Sequence, residues 1–479
     1  MKIKKIALLI AVGMSSAPAF ATNGMNLAGY GPVSESMGGV SAAYDNGNAG
    51  MINNPATLAM MQSGTSRFDI ALGDLMPKVS SSGHDSSAKN FFMPAFGYVR
   101  KDGNFAWGAG VIPQGGMGTD YSNGQFWGTM SGFGTVGATP ASLTTAQNTR
   151  RNMSEVGVGR LIFPLAYQVS DALNIGGSVD YVWAGMDAKW LIDGAHFADF
   201  VTGFGGQQRF GTASGSMVAA LGGAGVTGLS YGYIDFEKSG KFFQQATSNG
   251  WAGNIGFTYK VSPALTIGGA YHAKTHLGDM TTKEGGATMT FSTNLFAGAP
   301  VPLSGKVTIH NFQWPETYSL GFSYKANPQW TVNADYKRIN WASVMQSLKM
   351  TFAADGSAGN GGFANTSVDI EYFQRWKNQD VLQLGAEYKP SDALTLRFGT
   401  NIANNPIPDQ FVSPLFPAIY KTHYTFGFGY AFSKASSFDF SYVYTPKVSV
   451  TNSAGAVGGS NQNISVGGGG WTAMYSYRF

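Results

Sequence analysis

The 479-residue sequence contains no cysteine, so it can form no disulfide, no thiolate metal site and no lipid-anchored amino-terminal cysteine. Beyond its first twenty residues it has no apolar run near the roughly 20 residues that a bilayer-crossing helix needs, which excludes helical membrane spans. Charge is scarce too: Asp, Glu, Lys and Arg make up 12% of the chain, and 31 basic against 27 acidic residues give +4. Three of those charges, Lys2, Lys4 and Lys5, precede an apolar run from Ile6 to Val12, and Ala19-Phe20-Ala21 supplies the small residues of a cleavage site. Residues 1–21 are therefore expected to be a secretory signal peptide, with the mature chain starting near Thr22. Without the signal 28 basic residues face 27 acidic ones, too small an excess to hold a nucleic acid.

What the chain does have is glycine, 66 residues, and aromatic side chains, 14% of the total. They are ordered by a period of two, the signature of strands whose two faces meet different surroundings. Tyr424, Phe426, Phe428, Tyr430 and Phe432 alternate with His423, Thr425, Gly427, Gly429 and Ala431. Similar runs occur at 173–183, 251–259, 394–399 and 438–444, and the chain stops on WTAMYSYRF, where Trp471, Ala473, Tyr475, Tyr477 and Phe479 share one parity. One face is oily and the other small or polar. A soluble sandwich would turn the oily face inward, whereas a transmembrane barrel turns it to lipid, with aromatics gathered at the interfaces.

Turn spacing favours the barrel. Short breaks at KDGN (101–104), SDAL (170–173), SPAL (262–265), ANPQ (326–329), SDAL (391–394) and SKASS (433–437) each separate two alternating runs, as hairpin turns do. The connections between them are long, roughly 114–150, 192–248, 279–306, 351–367, 404–419 and 451–466. Short periplasmic turns and long extracellular loops are the asymmetry of an outer-membrane barrel. Six turns join twelve strands; one strand before Lys89 and the terminal strand raise the expected count to about fourteen. Closure would pair the terminal strand with the first and leave no free edge.

Between the cleavage site and the first strand near Ser66 lies a stretch rich in Gly, Ala and Asn without strand alternation. It is either a disordered periplasmic tail or a segment folded back into the lumen, where small residues pack and Asn side chains satisfy one another.

That stretch, GMNLAGYGPVSESMGGVSAAYDNGNAGMINNPATLAMM with its Asn54-Pro55-Ala56, resembles the amino-terminal hatch of the FadL family of long-chain fatty-acid and hydrocarbon transporters. LGFSYKANPQWTVNADYKRINWASVMQSLK, LGAEYKPSDALTLRFGTNIANNPIPDQ and the last hairpin resemble barrel segments of the same family. The resemblance implies an all-β protein: a fourteen-stranded antiparallel barrel over 65–479, plugged by a hatch over 22–64 whose gate is Asn54, Pro55 and Ala56. It also implies a monomer in the outer membrane, in contact with the bilayer, that takes up hydrophobic small molecules without a cofactor. Phe479 on the last strand resembles the recognition signal of the outer-membrane assembly machinery.

The loops fit such cargo. The 192–248 connection carries Phe200, Phe204 and Phe210, and the 279–306 connection carries Phe291, Phe296 and Leu303. Apolar surface on that scale needs a partner: either the two loops cover each other, or they also leave a groove where an oily ligand lands. A carboxylate would need a cation in addition. Lys349, continuing the parity of Asp335 and Lys337, should face inward, near where the family places a basic headgroup-binding residue; Lys189 is a second candidate if Gly185 marks a bulge. Arg160, Lys274, Lys337 and Arg397 also read as inward-facing, as hydrated or paired lumenal charges.

Family members have a kinked third strand that opens the wall sideways. Here FAWGAGVIPQGG (105–116) offers Gly108, Gly110 and Pro113 as the place where a strand could bend. Two other function classes, a lipolytic enzyme and a general porin, fit the sequence less well. Gly228-Leu229-Ser230-Tyr231-Gly232 matches the GxSxG of lipolytic hydrolases but lacks their strand-to-helix setting. His272 and His276 on a strand stand about 13 Å apart, too far to share a metal. A general porin would have an open lumen and polar loops. Fatty acids and aromatic hydrocarbons are not separable from the sequence.

Overall fold

A computed structural model describes residues 22–121, 150–223, 229–237, 244–293, 300–452 and 462–479. The expected signal peptide, residues 1–21, lies outside the described residues, as does Phe296.

The alternating runs form long strands joined by tight turns. Thr65–Ser81, Phe91–Asp102, Phe105–Tyr121, Asn152–Gln168 and Leu173–Asp193 pair in succession. The ladder continues through Ala246–Lys260, Leu265–His272, Thr317–Lys325, Trp330–Ile339 and Gln379–Tyr388. Leu394–Ala403, Thr422–Ala431, Ser436–Asn452 and Gln462–Arg478 follow. The last strand then pairs antiparallel with the first, from Ile464 opposite Ser81 to Arg478 opposite Arg67, and Phe479 exchanges backbone hydrogen bonds with Ser66 at 3.0 and 2.7 Å. The sheet is a closed antiparallel barrel, and its terminal strand has no free edge.

The expected count of fourteen is exceeded: among the described residues the single sheet contains twenty-five strands. The difference comes from two short strands of the inner segment, Thr22–Asn23 and Asn26–Leu27, and from nine strands in the connections, three of them only two residues long. Leu229–Asp235, Ala287–Thr293, Pro300–His310, Ser347–Ala354, Ser367–Phe373 and Gly211–Ser214 pair one after another and extend the ladder beyond the long strands. Several of them alternate as cleanly as the wall, with Leu348, Met350 and Phe352 or Val368, Ile370 and Tyr372 on the buried parity, but they are short and lie inside long connections.

Orientation is inverted relative to a soluble sandwich. Ile255 is 63% exposed, Tyr424 54% and Phe426 51%, whereas the alternate positions Asn254, His423 and Thr425 are buried. An outward aromatic face opposed by a buried polar face is what a lipid-facing wall requires.

Residues 22–61 are almost entirely buried, with Val40, Met51, Ala56 and Leu58 at the centre. Their polar groups bond to inward-facing atoms on strands all round the barrel. The Asn48 side-chain amide donates to the carbonyls of Arg67 (3.0 Å) and Gly97 (2.8 Å). Asp335 accepts from the N–H groups of Ser41 (2.6 Å) and Ala42 (2.9 Å). Gln383 donates to Ala28 O (2.8 Å), Gly38 N–H donates to Thr425 (2.8 Å), and Ser441 donates to Glu35 (2.8 Å). The wall admits this chain because facing positions lack side chains: a Cβ at Gly399 would collide with the backbone of Met37.

Candidate functional site

The apolar loop residues form a core. Phe200, Phe210, Phe291 and Leu303 are buried and Phe204 is half-buried. Phe197 meets Phe291 edge-on at 6.3 Å, Phe200 meets Tyr372 at 5.2 Å, Phe210 meets Phe411 at 6.0 Å, and Trp190 stacks on Tyr372 at 4.0 Å. The loops therefore cover one another and draw in Tyr372 and Phe411 from further connections.

A clasp holds the segment that bears three of these rings. Asp199, at the end of the short helix Gly194–Asp199, accepts from Arg209 Nη2 (2.8 Å) and Nε (3.1 Å) and from the N–H groups of Gln207 and Arg209 (both 3.2 Å). Burial alone would raise the Asp199 carboxyl, but the Arg209 guanidinium and the backbone donors outweigh it and hold the group below its ordinary value.

The loop core runs without interruption into the lumen. One cluster of buried apolar residues joins Phe200, Phe210 and Phe291 to Met25, Leu27, Met51, Ile52 and Leu58 of the inner segment. At the junction stand three buried tryptophans: Trp314 contacts Trp341 at 5.5 Å, and Trp341 contacts Trp376 at 5.1 Å. The sequence reading missed them. Their signal was a single Trp in each of three connections.

Asn54 anchors the inner segment to the wall. Its amide donates to Ala42 O (2.7 Å) and Phe257 O (3.0 Å), while its Oδ1 accepts from Ala56 N (3.1 Å). Pro55 then opens the 3₁₀ turn Pro55–Met60, which its fixed φ and missing N–H suit. A Cβ at Gly256 would strike Asn54 Oδ1, and one at Gly176 would lie 2.7 Å from Ala56 N.

The expected cations are placed differently. Lys349 is 56% exposed and 3.7 Å from Glu371, between the buried Leu348 and Met350. The inward orientation expected for it fails because the 3₁₀ turn Trp341–Ser343 separates it from Asp335 and Lys337 and resets the parity. Lys189 is held by Asp235 (3.2 Å) and Glu237 (3.0 Å). Lys274 lies beyond the end of its strand and is exposed, contrary to its inward reading. Arg160, Lys337 and Arg397 are buried as read. Arg160 pairs with Asp180 at 2.6 Å, and Arg397 with Asp439 at 2.7 Å and Glu387 at 2.9 Å.

The wall is interrupted, but not where Gly108 and Gly110 stand. Those two lie in ladder opposite Val99 and Gly97, and although pairing with Asn152–Gln168 skips Gly108 and Ala109, the register there does not shift. Pairing between Phe91–Asp102 and Phe105–Tyr121 ends at Phe96 opposite Val111, so the upper part of the third strand leaves its neighbour. On its other side the register shifts between Pro113 and Gly115, a bulge at Gln114. Of the three residues singled out, Pro113 alone adjoins the break. The freed edge pairs with the inner segment instead: Gly115 lies opposite Asn26, and Gly116 N–H donates to Met25 O at 3.1 Å. Tyr30 Oη donates to Gln114 O at 3.0 Å and Arg160 Nε to Gln114 Oε1 at 2.7 Å, so the bulge is tied to both the inner segment and the lumenal ion pair.

Residues 8–479 match the family described as outer membrane protein transport protein (OMPP1/FadL/TodX). Among solved structures the chain is similar to the P. putida toluene transporter TodX, with 27% identity, TM-score 0.78 and coverage of 95% of this chain and 99% of that one. It is similar also to the Ralstonia pickettii toluene transporter TbuX, with 32% identity, TM-score 0.73 and coverage of 95% and 99%. A Pseudomonas aeruginosa FadL homologue shares the fold at 16% identity and TM-score 0.66, over 95% of this chain and 99% of that one. An uncharacterized protein of Chlorobium limicola, encoded in a phosphoenolpyruvate carboxykinase gene 5′ region, is 52% identical over 75 residues, which span 16% of this chain and 36% of that relative's length.

Proposed function

Because the chain belongs to the OMPP1/FadL/TodX family of outer-membrane transport proteins, we propose that it carries small aromatic hydrocarbons inward, in preference to long-chain fatty acids. The protein is an outer-membrane β-barrel, and its family moves hydrophobic compounds. The observation that carries the finer reading is the unbroken apolar cluster from the loop aromatics to the inner segment. A hydrocarbon gains about 0.8 kcal/mol for each CH₂-sized group taken from water along such a path. A carboxylate would also need a free cation, and most candidates are engaged: Lys189 by Asp235 and Glu237, Arg160 by Asp180, Arg397 by Asp439 and Glu387, while Lys349 faces solvent; Lys337 alone is buried without an ion pair among the described residues. The similar structures TodX and TbuX are described as toluene transporters, which favours the same class here.

In this reading fourteen strands form the membrane wall and the remaining strands belong to the extracellular loops. Residues 22–64 act as a hatch, pinned by Asn54. Ligand lands beside Phe200, Phe210 and Phe291, passes the three tryptophans, and leaves sideways between Phe91–Ala95 and the bulged Ile112–Met117 as the hatch lets go of Gly115 and Gly116. Assembly through Phe479 and a monomeric state belong to the same proposal. A lipolytic activity has less support: Gly228 lies outside the described residues, and Leu229–Asp235 is a strand with no strand-to-helix turn. Uptake of radiolabelled toluene and oleate by cells that lack their own barrel of this family tests the proposal. Saturable toluene uptake on expression of this chain is expected; oleate uptake without toluene uptake would overturn the hydrocarbon reading.

A further inference from the structure

A second site lies on the outside of the wall, beside the strand that flanks the proposed lateral exit and distinct from the lumen. Strand Ser436–Asn452 carries an extra residue: its ladder with the last strand shifts between Thr445 and Val448, so Pro446 and Lys447 together oppose Gly467. A bulge of this kind flips the parity of everything beyond it. Before it the outward positions are Tyr442 and Tyr444; after it Lys447 takes the outward side and is exposed. On the other flank Gly467 lies directly opposite Lys78, which continues the outward parity of Phe68, Ile70 and Leu72. Two lysines thus stand on either side of a glycine, with no side chain between them.

The connection that follows adds a third, Lys89. Lys78, Lys89 and Lys447 line one cavity of about 720 Å³, whose floor is the backbone of Gly467, Gly468 and Gly469. All three are exposed, and none has an ion pair among the described residues. Asp85 is the one carboxylate among the lining residues, so cations outnumber it three to one. The same cavity continues onto Met76, Tyr442 and Tyr444, the last 50% exposed on the lipid face. It lies at the end of the barrel bearing the long connections, away from the tight turns at 102–105 and 431–436.

We propose that this cavity binds a phosphate-bearing lipid of the outer leaflet, with the headgroup phosphate among the three lysines and an acyl chain along the tyrosines. Unpaired ammonium groups just above an aromatic band complement an anionic headgroup at the interface. A free phosphate would use the lysines alone and leave the apolar half of the cavity unused, which is why a lipid is the better fit.

Native mass spectrometry of the intact barrel in detergent tests this. The barrel is titrated with bisphosphorylated lipid A, with the same lipid after dephosphorylation, and with lipid A in the presence of millimolar inorganic phosphate. One lipid A retained per barrel is expected, with at least tenfold lower retention in the Lys78→Ala/Lys89→Ala/Lys447→Ala variant, and retention within twofold of wild type in the corresponding triple Arg variant. The dephosphorylated lipid should bind wild type no better than lipid A binds the Ala variant. Equal retention by wild type and the Ala variant, equal binding of the dephosphorylated lipid, or complete displacement by inorganic phosphate would each overturn the proposal. Heat-modifiable migration of each variant on gels verifies that the closed barrel is intact.

Discussion

Two stretches of the same wall behave in opposite ways. Between Thr422–Ala431 and Ser436–Asn452 the ladder runs from Ala431 opposite Ser437 up to Tyr424 opposite Tyr444, almost the whole shorter strand. Between Phe91–Asp102 and Phe105–Tyr121 it stops at Phe96 opposite Val111, with five residues of the first strand and ten of the second still to come. An unpaired edge inside a membrane is costly, because lipid offers no hydrogen bonds. On the broken side the inner segment supplies partners at the bulge, where Met25 O accepts from Gly116 N–H and Asn26 lies opposite Gly115. The lesson is that opening the wall and seating the inner segment are one structural event: the edge cannot be vacated by one without being exposed by the other.

The comparison is broken most severely at Gly115, where any Cβ would collide with Met25 O. Gly115→Val is expected to unseat that contact and to lower toluene uptake more than tenfold, while Phe426→Ala on the regular, lipid-facing side leaves uptake within twofold of wild type. Equal uptake by both variants would show that the break has no role. Next comes Arg160→Leu, which strands Asp180 in the lumen and cuts the tie to Gln114. A loss of about 3–5 kcal/mol is expected, read as a lower urea midpoint for unfolding in detergent micelles. Asn54→Ala removes an amide that donates twice and accepts once and should cost about 1–3 kcal/mol locally; faster hydrogen exchange of amides within 42–61 than in the wall would sharpen the distinction between the two regions.

The loop clasp is expected to give a smaller effect with a definite sign. Since the Asp199 carboxyl is held below its ordinary value in the folded loop, its contribution is complete above the unfolded carboxylate range and lost as the pH falls through the lower folded value. Protease nicking within 199–210 should therefore rise at acid pH in wild type and already be high at neutral pH in Asp199→Asn. Smallest of all, Lys349→Ala is expected to leave oleate and toluene uptake unchanged; a fall in oleate uptake alone would restore a headgroup role for that residue.

Much of the wall was legible because its signal is local. Each tight turn sits between two alternating runs, and the exposed aromatic parity at Tyr424, Phe426 and Phe428 follows directly from the period of two. The site was less legible. Phe200, Phe210 and Phe291 stand out as oily residues in a loop, but Trp314, Trp341 and Trp376 do not, because one Trp per connection carries no periodic signal and the three meet only when distant connections converge. Lys349 was misdirected for a related reason: parity predicts facing only while a strand is unbroken, and the turn Trp341–Ser343 is short enough to look like strand continuation.

By itself the sequence determined that these segments are strands, which of their faces is greasy, and in what order neighbouring ones pair, since alternation and turn chemistry act over a few residues. Only the tertiary structure decided where the wall opens and which charges are occupied. Gly108, Gly110 and Gly115 look alike in the chain, and what separates them is a partner about ninety positions away, Asn26, that takes up the hydrogen bonds of one edge and not of the others.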